Sequence, residues 1–417
     1  MTASLHVFIG TKAQYVKTAP LLRLLDERGV AYRLIDSGQH AALSRELRRE
    51  LGVRDPDVTL GGARDITTIP AAIRWAATIA LRLLDRAKVR RELFGLPPEP
   101  RSCSDMGVQD PGSLHNRAGR APRRLARPGR PGRPERPGRP GWPGRPGRSG
   151  RGVEGICVVH GDTPSTLLAA LLARRAGLEV AHLEAGLRSR SVFEPFPEEL
   201  IRRVVMRLSS LLFAPDGVAE ANLRRRGLGD RTVRTSANTV VDALRYSLAE
   251  TPVAPTGPSV VTMHRVENLH RPERVRGFVD LVERLARNGP VTFVVHGPTE
   301  SAIAPHRDRL TAAGVELVSL LPHAAFTRLL AAAPLVVTDG GSIQEECALL
   351  GVPTLLWRAQ TERPDGIGDN VVLSAYDPAT IEAFVRDPAA LRRTPLTTQV
   401  HPSAEILEEL QRRLGVG

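Results

Sequence analysis

Residues 155–203 constrain the fold more than any other stretch, because they read as a strand, a helix and a second strand in close succession. Residues 156–159 form an apolar run typical of a strand buried on both faces of a parallel sheet. The Leu/Ala-rich spacing predicts a helix over 163–176, which Gly177 ends. The next apolar run, 180–183, predicts a neighbouring strand.

Polar side chains follow both of these predicted strands. His160 and Asp162 come directly after the first strand, and Glu184 follows the second. Open α/β sheets bind their ligands at the carboxyl ends of the strands. Glu198 and Glu199 then open a further predicted helix, so three carboxylates and a histidine are expected to converge. That is too much buried polarity to serve structure alone, and we interpret it as a catalytic edge.

The alternation of strand and helix continues along the chain and predicts an α/β protein with two parallel-sheet domains facing a cleft. A length of 417 residues suits two domains that each bury a core. We place the first domain at residues 1–236 and the second at 237–400. The first predicted strand of the second domain starts at residue 259, after three spaced prolines. Residues 401–417 contain a final helix.

A tract of Gly, Arg and Pro repeats occupies about residues 99–152 and interrupts the first domain. Such a composition buries almost nothing apolar and blocks helix formation, so the sequence predicts a disordered insert looped out of a finished fold. Residues 101–152 contribute +10 of the net charge of +13. The rest of the chain is nearly neutral, so we expect no nucleic-acid binding except through this insert. A passive expansion is the alternative interpretation of the insert.

Two further turns are typical of anion sites. Lys12 and Lys17 flank the start of the first helix after a Gly-Thr turn, and His40 follows the second strand. In the second domain, Gly340, Gly341 and Ser342 open a helix, where backbone amides favour a phosphate.

Acidic and basic residues lie near this second turn. Glu346 lies one turn into the helix, where a carboxylate can accept hydrogen bonds from a ribose, and Arg363 can neutralise phosphate.

Three other features limit the class of protein. Cys103, Cys157 and Cys347 lack metal-ligand spacing, which indicates free thiols in a reducing cytoplasm. The N-terminus enters a strand without a leader, and no apolar run has the roughly 20 residues of a membrane span. We therefore expect a cytoplasmic enzyme with no metal, no organic cofactor and no membrane partner.

The motifs HGDT, HLEAGLRS and PFPEE, in this order and spacing, resemble the UDP-N-acetylglucosamine 2-epimerase family of the non-hydrolysing bacterial type. The resemblance covers most of the chain outside the insert. It implies two Rossmann-like domains in the GT-B arrangement, a last helix that packs back on the first domain, and a homodimer. The chain departs from the family at Lys12, usually Arg, and at 339–342, which read Asp-Gly-Gly-Ser instead of Asp-Ser-Gly-Gly.

The resemblance also implies roles for individual residues. It makes Asp162, Glu184, Glu198 and His264 catalytic, with His264 near the diphosphate. It places Phe326 near uracil, Glu346 on the ribose and Arg363 on the nucleotide. The remaining substrate contacts would come from Lys12, Lys17, His40, Arg188, Arg202, Gly340, Gly341 and Ser342.

The reaction implied is reversible C2 epimerisation of UDP-N-acetylglucosamine, by loss of UDP to 2-acetamidoglucal and re-addition. It requires a base, an acid and cations for the leaving diphosphate. We expect the clustered carboxylates to raise one another's pKa. A hydrolysing 2-epimerase that releases N-acetylmannosamine, another UDP-amino sugar, a GT-B transferase and an RNA-binding protein stay open as alternatives. The sequence does not assign acid and base among the three carboxylates.

Overall fold

The computed structural model describes residues 4–39, 41–61, 85–97, 154–188, 198–248, 253–395 and 399–416. Within these ranges the chain forms two parallel β-sheets flanked by helices, and Met1–Leu96 and Val153–Gly417 belong to one compact unit. The predicted insert at 99–152 and His40 lie outside the described residues, as does Cys103.

The first sheet has seven parallel strands in the order β3-β2-β1-β4-β5-β6-β7. Its strands are β1 Ser4–Ile9, β2 Tyr32–Asp36, β3 Val58–Thr59, β4 Gly155–His160, β5 Glu179–Leu183, β6 Leu211–Ala214 and β7 Thr232–Arg234. The helices of this half are α1 Lys12–Glu27, α2 Ala41–Leu51, α3 Arg86–Lys88 (continued by a π-helical turn, Val89–Leu93), α4 Pro164–Ala176, α5 Glu198–Leu208, α6 Gly217–Arg224 and α7 Val240–Leu248.

The second sheet has six parallel strands in the order β10-β9-β8-β11-β12-β13. They are β8 Ser259–Thr262, β9 Val291–Val295, β10 Val315–Ser319, β11 Val336–Thr338, β12 Thr354–Leu356 and β13 Val371–Leu373. Its helices are α8 Val266–Leu269, α9 Pro272–Ala286, α10 Gly297–Ile303, α11 Arg307–Ala312, α12 His323–Ala332, α13 Gly341–Leu350 and α14 Pro378–Arg386, and helix α15, Pro402–Leu414, ends the chain. The predicted fold class, two parallel-sheet α/β domains, is confirmed.

Local sequence explains the central unit. The Thr163 hydroxyl accepts a hydrogen bond from the amide of Thr166 and caps α4, whose first residue is a proline, the residue favoured there. Gly177 ends the helix in the left-handed region at φ +87°, as predicted. The strands on either side, β4 and β5, are almost wholly buried. The residues after their carboxyl ends are therefore held by a rigid, double-faced core.

Two helices connect the two halves of the molecule. Helix α7 packs against α1 of the first half and against α12 and α13 of the second. Helix α15 packs against α1, and its Leu407 and Leu410 are fully buried in the same core as Leu21 and Leu22. The domain boundaries at 236 and 400 remain predictions.

Helices α13 and α15 both end at a glycine in the left-handed region, at φ +65° for Gly351 and +69° for Gly415. A β-carbon on Gly351 would lie 2.1 Å from the carbonyl oxygen of Arg393, whereas one on Gly415 would meet nothing within 4 Å. We expect Gly415→Ala to lower the free energy of unfolding by about 1 kcal/mol through backbone strain. Gly351→Ala adds overpacking and should lower it by about 3 kcal/mol in total. Urea denaturation of both variants tests this, and equal losses would contradict it.

The other structural expectations concern cysteines and membrane spans. Cys157 and Cys347 are buried free thiols, and burial raises the pKa of each to about 12. None of the described helices is long and apolar enough to cross a membrane.

Candidate active site between the two sheets

Glu184 lies directly after β5 with a backbone φ of +63°, a conformation that costs a non-glycine residue about 1 kcal/mol or more. Its Oε1 atom contacts three donors: Lys17 Nζ at 2.7 Å, Arg363 Nη1 at 2.8 Å and Asn238 Nδ2 at 2.7 Å. Lys17 belongs to α1, whereas Arg363 comes from the loop after β12 of the other sheet. The site is therefore assembled from both sheets.

A fourth charged group completes this arrangement. Glu345 of α13 places Oε2 2.7 Å from Lys17 Nζ and 2.9 Å from Arg363 Nη1. We call Lys17, Glu184, Glu345 and Arg363 the charge cluster. Its side chains are between 3% and 11% exposed, so contacts among the four charged groups replace their contacts with water.

Burial alone would raise the pKa of Glu184, but Arg363 and Lys17 hold it well below its usual range. For Glu345 the balance is different, because burial, with the charges of Glu184 and Asp365, raises its pKa despite Lys17 and Arg363. The expectation that neighbouring carboxylates raise one another's pKa is therefore wrong for Glu184. Lys17 and Arg363 outweigh that effect at Glu184, and sequence spacing does not show them because both lie far from Glu184 along the chain.

His160 supports Glu184 from the end of β4. Its Nδ1 lies 2.9 Å from the Thr18 hydroxyl, and its Nε2 lies 3.7 Å from Glu184 Oε2. Complete burial lowers the pKa of His160 to about 3, so the ring is neutral. His160 thus acts as a neutral support of the carboxylate and not as a cation.

Gln14 ties the first helix to the same strand end. Its amide group donates to the carbonyl of His160 at 2.6 Å and to the Thr166 hydroxyl at 2.8 Å, while its carbonyl accepts from the Gly10 amide at 2.6 Å. This side chain locks α1, which carries Lys17, against β4.

A second charged group surrounds Asp162. The Arg202 guanidinium bonds Asp162 and lies 2.9 Å from Glu199 Oε2. Glu199 is fully buried and also contacts Arg188 at 2.5 Å and Arg203 at 3.0 Å. Arg188 and Arg202 therefore hold the acidic residues in place, and Glu199 is an anchor for arginines.

Glu198 differs from its neighbour. It is partly buried at the first position of α5, and its Oε2 atom has no hydrogen-bond partner among the described residues. Burial, with the nearby charge of Asp162, raises the pKa of Glu198. This raised pKa suits Glu198, unlike Glu184, to carry a proton.

On the second sheet, Asp339 organises the approach to α13. Its carboxylate accepts hydrogen bonds from the amides of His264 and Arg265 at 3.0 Å and from Asn268 Nδ2 at 2.9 Å. These bonds place the His264 ring 3.4 Å from Asp339 and stacked on His296, with a centroid distance of 4.7 Å. His264 is one-third exposed and therefore accessible to a ligand.

Two glycines at the start of α13 allow His264 and Arg363 to approach the backbone closely. A β-carbon on Gly340 would lie 2.8 Å from His264 Cε1, and one on Gly341 would lie 3.1 Å from Arg363 Nε. Helix α13 begins at Gly341 without a side-chain cap, so its first amides are available to an anion. Ser342 is partly exposed in this first turn.

The remaining predicted residues lie further from the charge cluster. Glu346 is buried, with Oε1 3.5 Å from His323 Nε2, and the part of the chain that the structure describes offers its Oε2 no hydrogen-bond partner. Burial lowers the pKa of Lys12, although Glu50 and Glu346 act against this. Phe326 packs half-buried against the core beside α13. The structure does not test the assignment of these residues to a substrate.

Residues that the sequence prediction missed include Gln14, Asn238, Asp339 and Glu345. Two of them carried a signal: Glu345 adjoins Glu346, and Asp339 begins the Asp-Gly-Gly-Ser turn. The Glu345 side chain reaches Lys17 of α1. Among the described residues, no group of three or more His, Cys, Asp or Glu side chains is arranged to hold a metal.

The fold and the site define a two-sheet α/β protein with a charged cleft, and solved nucleotide-sugar epimerases share this fold. The Neisseria meningitidis UDP-GlcNAc 2-epimerase bound to UDP-GlcNAc superposes with a TM-score of 0.72 at 23% identity, covering 98% of this chain and 100% of that one. The Methanocaldococcus jannaschii UDP-GlcNAc 2-epimerase in complex with UDP-GlcNAc and UDP gives 0.70 at 22% identity, covering 98% and 99%.

Sequence comparison then identifies the family. A family model described as UDP-N-acetylglucosamine 2-epimerase matches residues 154–399. The chain is 30% identical to the Methanocaldococcus jannaschii UDP-N-acetylglucosamine 2-epimerase over 247 residues and 32% identical to that of Bacillus subtilis over 222 residues. These matches cover 55% and 51% of this chain and 67% and 58% of the relatives. The chain belongs to the UDP-N-acetylglucosamine 2-epimerase family.

Proposed function

We propose that the protein interconverts UDP-N-acetylglucosamine and UDP-N-acetylmannosamine by eliminating and re-adding UDP. One observation supports this most: the predicted carboxylates gather at one edge of the first sheet and meet two cations there. One cation comes from each half of the molecule. Lys17 and Arg363 both contact Glu184, and Asp162 lies close enough to Glu198 to raise its pKa. The substrate class is taken from the relatives described as UDP-N-acetylglucosamine 2-epimerases.

The reaction divides into two half-steps that these groups can serve. A carboxylate removes the C2 proton while the bond from C1 to the UDP oxygen breaks, which leaves a C1–C2 double bond and free UDP. In re-addition the UDP oxygen bonds C1, and a carboxylic acid delivers a proton to the opposite face of C2. An acid and a base on opposite faces are both necessary, since inversion at C2 requires them.

We assign Glu198 as the acid and Glu184 as the base in the first turnover direction. Glu198 holds its proton to higher pH because of burial and Asp162, while Glu184 is ionised in the free protein. Glu184 becomes a stronger base once a diphosphate attracts Lys17 and Arg363 away from it. Arg202 holds Asp162 beside this pair, where it keeps the proton on Glu198.

Groups from both halves of the molecule stabilise the leaving group. Lys17 and Arg363 provide positive charge, the first amides of α13 point into the same region, and His264 adds a ring held by Asp339. We assign Glu346 of α13 to the ribose hydroxyls, which its buried Oε2 atom can accept as hydrogen-bond donors. Phe326 is assigned to the uracil.

Proton NMR of UDP-N-acetylglucosamine incubated with the protein in D2O tests the proposal. We expect UDP-N-acetylmannosamine to accumulate with deuterium at C2, because the abstracted proton exchanges with solvent. Free N-acetylmannosamine with UDP would instead establish the hydrolysing branch. Absence of both turnover and C2 exchange would contradict the proposal and favour another UDP-amino sugar or a transferase.

We also propose that the protein is a cytoplasmic homodimer. The family resemblance supports this oligomeric state, and light scattering after size exclusion measures it directly. A molar mass near twice the 45.2 kDa of the chain is expected, and a monomer would contradict it.

A further inference from the structure

Glu345 has no role in the proposed reaction, yet it occupies the two cations that the diphosphate would need. Its Oε2 atom lies 2.7 Å from Lys17 Nζ and 2.9 Å from Arg363 Nη1. This is a bridging geometry that a phosphate oxygen can also adopt. The side chain is 3% exposed, so water is not an alternative partner for its charge.

We propose that Glu345 takes the place of the substrate's diphosphate in the free protein, and that nucleotide binding displaces it and protonates it. This inference rests on the proposed function for the identity of the ligand. It makes Glu345 a positioning residue, which acts through Lys17 and Arg363.

Charge balance in the cluster supports the displacement. In the free protein two cations face two carboxylates, so the buried charges compensate one another. A diphosphate brought to the same cations adds at least two negative charges. The cluster would then hold uncompensated negative charge in a buried place, which is strongly unfavourable unless a carboxylate is neutralised.

Glu345 is the carboxylate that should take the proton. Glu184 keeps a third donor, Asn238 Nδ2 at 2.7 Å, whereas the contacts of Glu345 Oε2 are the two cations. When these turn to the diphosphate, Glu345 still faces the carboxylates of Glu184 and Asp365. Burial and these like charges already raise its pKa in the free protein, and losing the cations raises it further.

Isothermal titration of UDP into the full chain at pH 8, in two buffers of different ionisation enthalpy, measures the protons taken up. The terminal phosphate of UDP, with a pKa of about 6, is already ionised there. We expect uptake of close to one proton per site by the wild-type protein. Glu345→Gln should abolish the uptake and tighten UDP binding about tenfold, because a neutral amide no longer competes for the cations.

Two further variants separate this from other causes. Glu382→Gln removes the same charge from α14, far along the sheet and half exposed, and should leave both UDP affinity and proton uptake unchanged. Glu345→Asp retains the charge on a shorter side chain and should retain the uptake while tightening UDP binding less than the amide does.

The outcomes are distinct from those of the epimerase test. Wild-type binding of UDP without proton uptake would overturn the inference, and so would weaker UDP binding by a folded Glu345→Gln. Either result could occur together with full epimerase activity, in which case the proposed function stands. If Glu345→Gln binds UDP more tightly but the wild-type protein has no epimerase activity, the inference is supported and the proposed function is refuted. A wild-type chain that fails to bind UDP would overturn both.

Discussion

Glu184→Gln is expected to lower kcat about 1,000-fold, which lies within the range lost when a general base is removed. The amide is nearly the same size as the carboxylate and can still accept hydrogen bonds from Lys17, Arg363 or Asn238 through its oxygen. It cannot remove the C2 proton. The measurement is the rate of epimerisation together with C2 deuterium exchange in D2O, and both should fall together.

Glu179→Gln provides the matched control for this variant. Glu179 begins the same strand, β5, at the end away from the site, and its carboxylate pairs with Arg413 on the surface. We expect kcat of this variant to stay within about twofold of wild type, because exposed ion pairs contribute little. A Glu184→Gln protein that retains activity within tenfold of wild type would exclude Glu184 as the base.

Glu198→Gln is expected to remove the alkaline limb of the pH profile of kcat/KM and to lower its plateau about 100-fold. Burial and Asp162 raise the pKa of Glu198, so its proton is present below that raised pKa and is lost as pH increases through it. Wild-type kcat/KM, which reports the free enzyme, should therefore decline on the alkaline side. Retention of the same alkaline limb in Glu198→Gln would show that another group carries the proton.

Glu199→Gln distinguishes chemistry from structure at the adjacent position. Glu199 is fully buried between Arg188, Arg202 and Arg203, so a neutral amide removes the negative charge that these guanidinium groups face. We expect a loss of about 3 kcal/mol in the free energy of unfolding. The alkaline limb should persist in this variant, and its disappearance would contradict the separate roles.

Much of the fold could be predicted from local patterns. The apolar run at 156–159, the capped helix that follows it and the glycine that ends that helix all appear in the structure at nearly the predicted residues. These features depend on short-range physical chemistry, namely burial of a strand on two faces and the conformational preference of glycine. The placement of Asp162 and Glu184 after neighbouring strands follows from the same rule, since parallel strands end at one edge.

The ion pairs around those residues could not be predicted in this way. Lys17 and Arg363 are separated by more than 300 residues, and only the packing of the two sheets brings both to one oxygen of Glu184. Spacing also could not reveal that Glu345, and not its neighbour Glu346, contacts both Lys17 and Arg363. Adjacent helical residues point about 100° apart, so a single position decides which charge enters the cluster.

The sequence by itself determined the two parallel sheets, the edge at which polar residues gather and the family to which the chain belongs. The tertiary structure alone decided the protonation of the site. The pKa of Glu184 is lowered because cations from two distant elements meet it, whereas burial and the charge of Asp162 raise the pKa of Glu198. Electrostatic energy depends on distances through space and on burial, neither of which local sequence specifies.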